Sequence, residues 1–228
     1  MMMSLNDLAY PMMVYFHLIL FVIWLGGDIG VFLAGQQFRK RTRYSLDQRL
    51  ALLRLLVGID MFPRSAWALM VPSSLTLLVL GGFWALPLAA LAAAWATGFV
   101  WLWLIWDAHH HDMTPRAVRN RRIESWLKYA IAVGYLALGT VSLTSGAPLA
   151  PPWLAAKALL FGLIFVAAIL IDVCFKPVGP QLARLIEQGS SDATEGPLLR
   201  TMDRTRIWVF VVYALLIAVS FIGAVKPF

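Results

Sequence analysis

The sequence predicts an all-α membrane protein, a bundle of about six transmembrane helices that forms one integral membrane domain over residues 1–228. Hydrophobic residues make up 61% of the chain and charged residues only 14%, whereas a soluble domain carries about a quarter charged residues. Several stretches reach the roughly 20 apolar residues that a bilayer-spanning helix needs. The net charge of +7 lies mostly in the connections between these stretches, which indicates a lipid bilayer, not nucleic acid, as the partner.

Six apolar stretches separated by polar connections give the predicted spans. They run from about Leu8 to Gly35, Val57 to Phe83, Leu88 to Trp106, Ile123 to Leu143, Trp153 to Cys174 and Ile207 to Val225. SLDQ, with Ser45 and Gln48, is a capping box that begins a helix ahead of the second span, in which Pro63 and Pro72 are candidate kinks. Residues 176–206 read as a cytoplasmic loop, with a short amphipathic helix at PQLARLIEQG and a flexible linker at SSDATEG.

Basic residues occur in every second connection. Residues 36–49, 112–122 and 176–206 are rich in arginine and lysine, whereas GGFWALP and TSGAPLAPPW contain neither. By the positive-inside rule, the basic connections face the cytoplasm. We therefore expect both termini on the non-cytoplasmic side of a bacterial inner (plasma) membrane.

The first span contains two polar side chains that lipid tolerates poorly. An aspartate near the middle of a spanning helix costs roughly 2.5–3.5 kcal/mol. His17 and Asp28 are about three helical turns apart and share one face with Trp24. Gly26 and Gly30 form a GxxxG pair that lets another helix approach closely. This face therefore points to a functional site, or else to polar contacts that only fix helix packing.

Further charged residues lie near the predicted membrane boundaries. Asp60 and Arg64 are four residues apart and can pair on one helix face, at about the depth of Asp28. These three groups can neutralise one another, or Arg64 can bind an anion such as a cofactor propionate or a lipid phosphate. Asp172 and Lys176 read as an ordinary interfacial ion pair.

Two further patterns have metal-ligand chemistry. Asp107, His110 and His111 form a weak two-histidine, one-carboxylate candidate at the end of the third span, although histidines among interfacial tryptophans more often contact lipid headgroups. Thioethers suit Cu(I), and Met13 lies one turn before His17. The remaining N-terminal methionines are Met1, Met2, Met3 and Met12.

HLILFVIWLGG resembles the opening helix of the CopD/HemJ-like membrane proteins, which have a histidine early in that helix and a tryptophan seven positions on. His17 and Trp24 match this pattern. WLAAK, residues 153–157, is similar to the WLxxK entry of a later HemJ-type helix, and the last helix, closing in VKPF, is also similar. The sequence departs from the pattern at Phe38 and about Ala168, where HemJ-type proteins have further histidines.

The resemblance implies a membrane redox protein that binds haem b, and His17 is the best candidate for its axial ligand. Trp24 and Phe21 would line the haem slot together with the small residues of GGDIG, and Met70 could lie on the opposite face. Lys157 could hold the propionates, donate a proton in catalysis, or snorkel to the headgroups. Such a protein transfers electrons or oxidises a hydrophobic substrate, coupled to quinone or a redox partner; whether it is an oxidoreductase stays open.

Two alternatives come from other functional classes. The CopD side of the resemblance implies transport of copper or another small cation, or resistance to it, with His17 and the methionines as the outer site and Asp28 with Asp60 as the inner relay. The other alternative is a structural subunit of a larger membrane complex or homo-oligomer. The sequence contains no nucleophile motif, phosphate-binding loop or HExxH motif, so it indicates no soluble-enzyme chemistry.

Overall fold

The structure is a computed structural model that describes residues 5–228, with side chains from Leu8 onward. The chain is 86% helical and the described range contains no strand, which confirms the all-α prediction. Met1, Met2 and Met3 lie outside the described residues. The helices are α1 (Leu5–Phe38), α2 (Leu46–Leu80), α3 (Leu88–His110), α4 (Pro115–Ser145), α5 (Pro152–Phe175), α6 (Val178–Gln188) and α7 (Asp192–Val225).

Five helical stretches are long and apolar enough to cross a membrane: α1, α3, α4, the α5–α6 stretch Pro152–Gln188, and α7. The second predicted span falls on α2, which has 35 residues and is therefore long enough. Asp60, Arg64 and two prolines interrupt its apolar residues, and it is not among the five stretches. The second of the six predicted spans thus stays a prediction.

The described residues divide into two compact units. The first comprises the chain up to Leu33 together with Leu55–Glu124, and the second comprises Ala34–Arg54 together with Ser125–Phe228. This division reflects only how contacts are distributed within the chain. The single membrane domain over residues 1–228 therefore stays a prediction.

In the first unit, prolines of α2 pack against glycines of its neighbours. A Cβ on Gly27 of α1 would lie 2.8 Å from the ring of Pro63, and a Cβ on Gly98 of α3 would lie 2.9 Å from the ring of Pro72. Of the predicted GxxxG pair, a Cβ on Gly30 would lie 3.6 Å from Ile59 of α2, whereas a Cβ on Gly26 would meet nothing within 4 Å, so the prediction of a close approach is wrong for Gly26. Gly27 takes its place, because the face of α1 towards α2 is turned by one residue.

In the second unit, α5 and α6 both pack against α7. The prediction that SSDATEG is a flexible linker is wrong, because Ser191 caps α7 and Asp192 is its first residue. The Ser191 hydroxyl accepts from the Thr194 amide, and the Thr194 hydroxyl accepts from the Ser191 amide. Both residues of this reciprocal cap satisfy backbone amides that a helix start otherwise leaves without acceptors. The segment predicted as a loop over residues 176–206 is therefore mostly helix.

A buried ion pair holds the start of α7 in the second unit. Arg49 and Glu195 each have side chains only 1% exposed, and two guanidinium nitrogens donate to the two carboxylate oxygens at 2.5 and 2.8 Å. Arg49 Nε also donates to the Phe38 carbonyl at 2.6 Å, and the Ser190 hydroxyl donates to Glu195 at 2.8 Å. Phe38 packs with Leu185 and Leu198 beside this pair, so the charges lie in an apolar setting.

Asp172 of the second unit has a different ion-pair partner from the one that the sequence suggests. Asp172 accepts from Lys128 at 2.9 Å, so the predicted pairing of Asp172 with Lys176 is wrong. Lys128 lies on α4, and its ammonium reaches the α5 carboxylate across the helix contact. A sequence neighbour is therefore not the partner here.

Candidate functional site

The polar side chain His17 of α1 contacts α2 within the first unit. Its Nδ1 lies 2.8 Å from the hydroxyl of Ser73, which is fully buried. Ser73 donates its own proton to the Met70 carbonyl at 3.1 Å. When the Ser73 hydroxyl donates to the Met70 carbonyl, its oxygen accepts from Nδ1–H, and Nε2 is then the basic nitrogen of the ring. Metal-binding histidines are commonly oriented in this way, by a hydrogen bond from the other ring nitrogen.

Trp24, two turns further along α1, is buried in a group of tryptophans. Its ring stacks on Trp67 of α2 with centroids 5.7 Å apart, and Trp67 meets Trp101 of α3 edge-on at 5.1 Å. The Trp24 indole also donates to the carboxylate of Asp28. The sequence predicts that His17, Trp24 and Asp28 share one face of α1, and in the structure this face is turned towards α2.

Asp28 lies near two charged groups of α2. Arg64 Nε donates to Asp60 at 2.6 Å, and both groups interact electrostatically with Asp28. The three residues form the charge cluster that the sequence predicts, with two carboxylates and one guanidinium. Arg64 and Asp60 have side chains 42% and 28% exposed, so this cluster reaches the surface of the unit.

Haem would need an axial ligand and an apolar slot from these residues. His17 supplies an imidazole whose Nδ1 is hydrogen-bonded to Ser73, the kind of group that commonly serves as an axial haem ligand. The predicted slot along Trp24 and GGDIG, however, is filled by α2: Trp67 covers Trp24, and the Pro63 ring lies against Gly27. The residues therefore fit haem at the ligand and do not fit it at that slot.

The second metal candidate lies where α3 turns into α4. The Asp107 carboxylate accepts from both Arg116 and Asn120, and His111 Nδ1 is 3.4 Å from it. His110 instead stacks on Trp106 with centroids 5.7 Å apart. Among the side chains that the structure describes, from Leu8 onward, no group of three or more His, Cys, Asp or Glu could hold a metal ion. The metal prediction at this turn is unsupported.

Beyond this turn, the connection is stabilised by charge pairing. Asp112 accepts from Arg121 at 2.5 Å, and this hydrogen bond lowers the pKa of the Asp112 carboxyl below its usual 3.8. Asp107 and Asp112 therefore both pair with arginines that follow them in the chain, Arg116 and Arg121.

Lys157 belongs to the second unit and His17 to the first. The lysine side chain extends over Gly223 of α7.

Sequence reasoning missed Ser73, the partner of His17, because serine is common in membrane helices and gives no signal of its own. It also missed Glu195, which the sequence places in an apparent linker.

Long apolar helices with polar side chains turned towards one another define this chain as a helical membrane protein. Comparisons with models of protein families, with curated proteins and with solved structures found no match.

Proposed function

We propose that this is an inner-membrane protein of the CopD/HemJ-like kind that handles a small cation, with Cu(I) as the candidate metal. The observation that carries the proposal is the part-buried hydrogen bond between His17 and Ser73, followed along α1 by the carboxylate cluster. We call these residues the polar column. It consists of His17, Ser73, Trp24, Asp28, Asp60 and Arg64.

The energetics of the membrane support a functional column. Ionisable side chains in spanning helices are costly, and they mark ion or proton pathways by default. His17 and Asp28 lie about 16 Å apart along α1 at 1.5 Å per residue. With both termini on the non-cytoplasmic side, His17 lies towards the outside and Asp28 towards the cytoplasm. A cation would then meet imidazole first and carboxylate second.

Ligand chemistry favours Cu(I) at the outer end. Imidazole and thioether groups are both ligands for copper. Met13 precedes His17 by one helical turn, and Met70 precedes Ser73 by three residues on α2. The proposed Cu(I) site is therefore His17 Nε2 with one or both thioethers. The resemblance to copper-resistance proteins supports the same assignment.

Replacement of His17 by alanine tests this site. We expect at least a tenfold loss of Cu(I) affinity, because a tenfold change corresponds to about 1.4 kcal/mol and a lost ligand costs at least that. The measurement is anaerobic Cu(I) competition titration of the purified protein, with His109→Ala as a matched control that keeps wild-type affinity. Unchanged affinity in His17→Ala, with the fold intact, would contradict the proposal.

Asp28→Asn tests the inner end of the column. It should retain Cu(I) binding and slow Cu(I) passage into proteoliposomes. Asp47→Asn, which removes an exposed carboxylate at the start of α2, is the control with the same charge change.

A His17→Ala variant that changes only stability would indicate the structural-subunit alternative.

A membrane haem protein that transfers electrons to quinone or a partner is the second candidate. The specific observation in its favour is the hydrogen bond between His17 Nδ1 and the Ser73 hydroxyl, which orients the imidazole. Absorption spectra of oxidised and dithionite-reduced protein test it: haem gives a Soret band with sharp reduced bands, absent in His17→Ala. A featureless spectrum from folded protein overturns this candidate and leaves the copper proposal standing.

A further inference from the structure

The beginning of α5 and the end of α7 meet in the second unit. Lys157 lies five residues after Pro152, the first residue of α5, so it is about one and a half turns inside the apolar helix. Its ammonium lies over Gly223 of α7, and a Cβ at Gly223 would come within 2.5 Å of Lys157 Nζ. The absence of a side chain at Gly223 therefore makes the room in which this ammonium lies.

A second ammonium lies at the same end of the unit. Lys226 is the C-terminal cap of α7, and its Nζ is 5.2 Å from the centroid of the Trp153 ring. It is near enough to Lys157 for the two charges to repel each other. Trp153 and Lys157 are both near the start of α5, so two cations and an aromatic ring lie where the start of α5 meets the end of α7.

No carboxylate on these two helices is near enough to balance the charges. Among the described residues, Lys157 makes no ion pair and no hydrogen bond. The nearest acidic residue on α5 is Asp172, about 22 Å away along the helix, and on α7 it is Asp203, about 30 Å from Gly223. The last carbonyls of α7 offer only about half a negative charge. The acidic side chains of α5 and α7 are thus too far away to balance the ammonium groups of Lys157 and Lys226.

We propose that Trp153, Lys157, Gly223 and Lys226 form a binding site for a phosphate group. Lysine ammonium groups bind phosphate as point charges, and a tryptophan at a helix end is typical of the headgroup level of a membrane. The phosphate belongs to an anionic lipid headgroup or to a free phosphate anion. The site lies outside the polar column and does not depend on the proposed function.

Lipid titration tests the charges of the site. Detergent-purified protein is titrated with phosphatidylglycerol, and binding is measured by native mass spectrometry. Lys157→Gln should weaken binding about fivefold, the usual contribution of one lysine to an anionic headgroup. Lys176→Gln, at the other end of α5 and with the same charge change, should stay within about twofold of wild type. Equal binding by all three proteins overturns the proposal.

Gly223→Ala tests the geometry without changing any charge. The new methyl group displaces only the flexible end of Lys157, so the protein still folds, and headgroup affinity should fall severalfold. Gly134→Ala, where a Cβ meets nothing within 4 Å, is the control. Should Lys157→Gln fail to fold, Gly223→Ala and Lys226→Gln decide the outcome, and wild-type binding by both overturns the proposal.

Competition with inorganic phosphate identifies the source of the phosphate group. Displacement of phosphatidylglycerol by millimolar phosphate, lost in Lys157→Gln, assigns a free anion. Lipid binding that resists inorganic phosphate and depends on Lys157 assigns a headgroup.

Discussion

Replacing Glu195 with alanine is expected to lower the free energy of unfolding by about 3–5 kcal/mol. The variant leaves the Arg49 guanidinium charged and only 1% exposed, with the Phe38 carbonyl as its remaining acceptor. Removing one partner of a buried ion pair is costly because the other charge stays desolvated. The measurement is unfolding in mixed micelles of detergent and SDS, followed by circular dichroism.

Two further variants separate this effect from other consequences of the change. Asp192→Ala breaks the exposed pair of Arg41 and Asp192, whose side chains are 44% and 89% exposed, and should cost less than about 1 kcal/mol. The double variant Arg49→Met, Glu195→Leu should recover most of the lost stability, because apolar residues can replace a buried pair. If Glu195→Ala cost no more than Asp192→Ala, the pair would not be desolvated in solution.

Local signals in the sequence predicted some elements correctly. Ser45 and Gln48 form the predicted capping box, with Gln48 Oε1 accepting from the Ser45 amide at 2.9 Å and Ser45 Oγ accepting from the Gln48 amide at 3.3 Å. A capping box spans four residues, so both partners are visible in one short stretch. The cap of α7 was missed because Thr194 replaces the glutamate or glutamine that defines the usual pattern.

The sequence predicted the α1 side of the candidate site and missed its α2 side. The α1 face of His17 and Asp28 follows from helical periodicity alone. Ser73, the partner of His17, is 56 residues further along the chain. Glu195 is likewise 146 residues from its partner Arg49. Single-sequence periodicity carries no information on such distant pairs. The same limit explains why the predicted haem slot conflicts with Pro63 and Trp67, which belong to another helix.

The helix contact of GGDIG shows how finely packing depends on rotation. Gly26 and Gly27 differ by one residue, which is about 100° around the helix axis. The motif indicated that α1 has a face for close approach, and this is correct. Which glycine meets the neighbour depends on the Pro63 ring, whose position follows from α2. A motif therefore predicts close packing without fixing the residues in contact.

Replacing Gly139 with alanine is expected to destabilise the protein by about 1–3 kcal/mol. A Cβ at Gly139 of α4 would lie 2.6 Å from the Cα of Leu159 on α5, and one at Gly162 of α5 would lie 2.8 Å from the Leu136 amide nitrogen on α4. These neighbours are backbone atoms, so they can move only if a whole helix moves. The two glycines thus allow α4 and α5 to approach one another in both directions.

Gly134→Ala on the same helix is the matched control, since a Cβ there meets nothing within 4 Å. It should change stability by no more than about 0.5 kcal/mol. Unfolding in the same mixed micelles measures both variants. Equal stability of the two would mean that α4 and α5 are not in backbone contact in solution. A loss confined to Gly139→Ala would instead show that close backbone packing stabilises this pair, because lipid offers apolar side chains no hydrophobic gain on helix association.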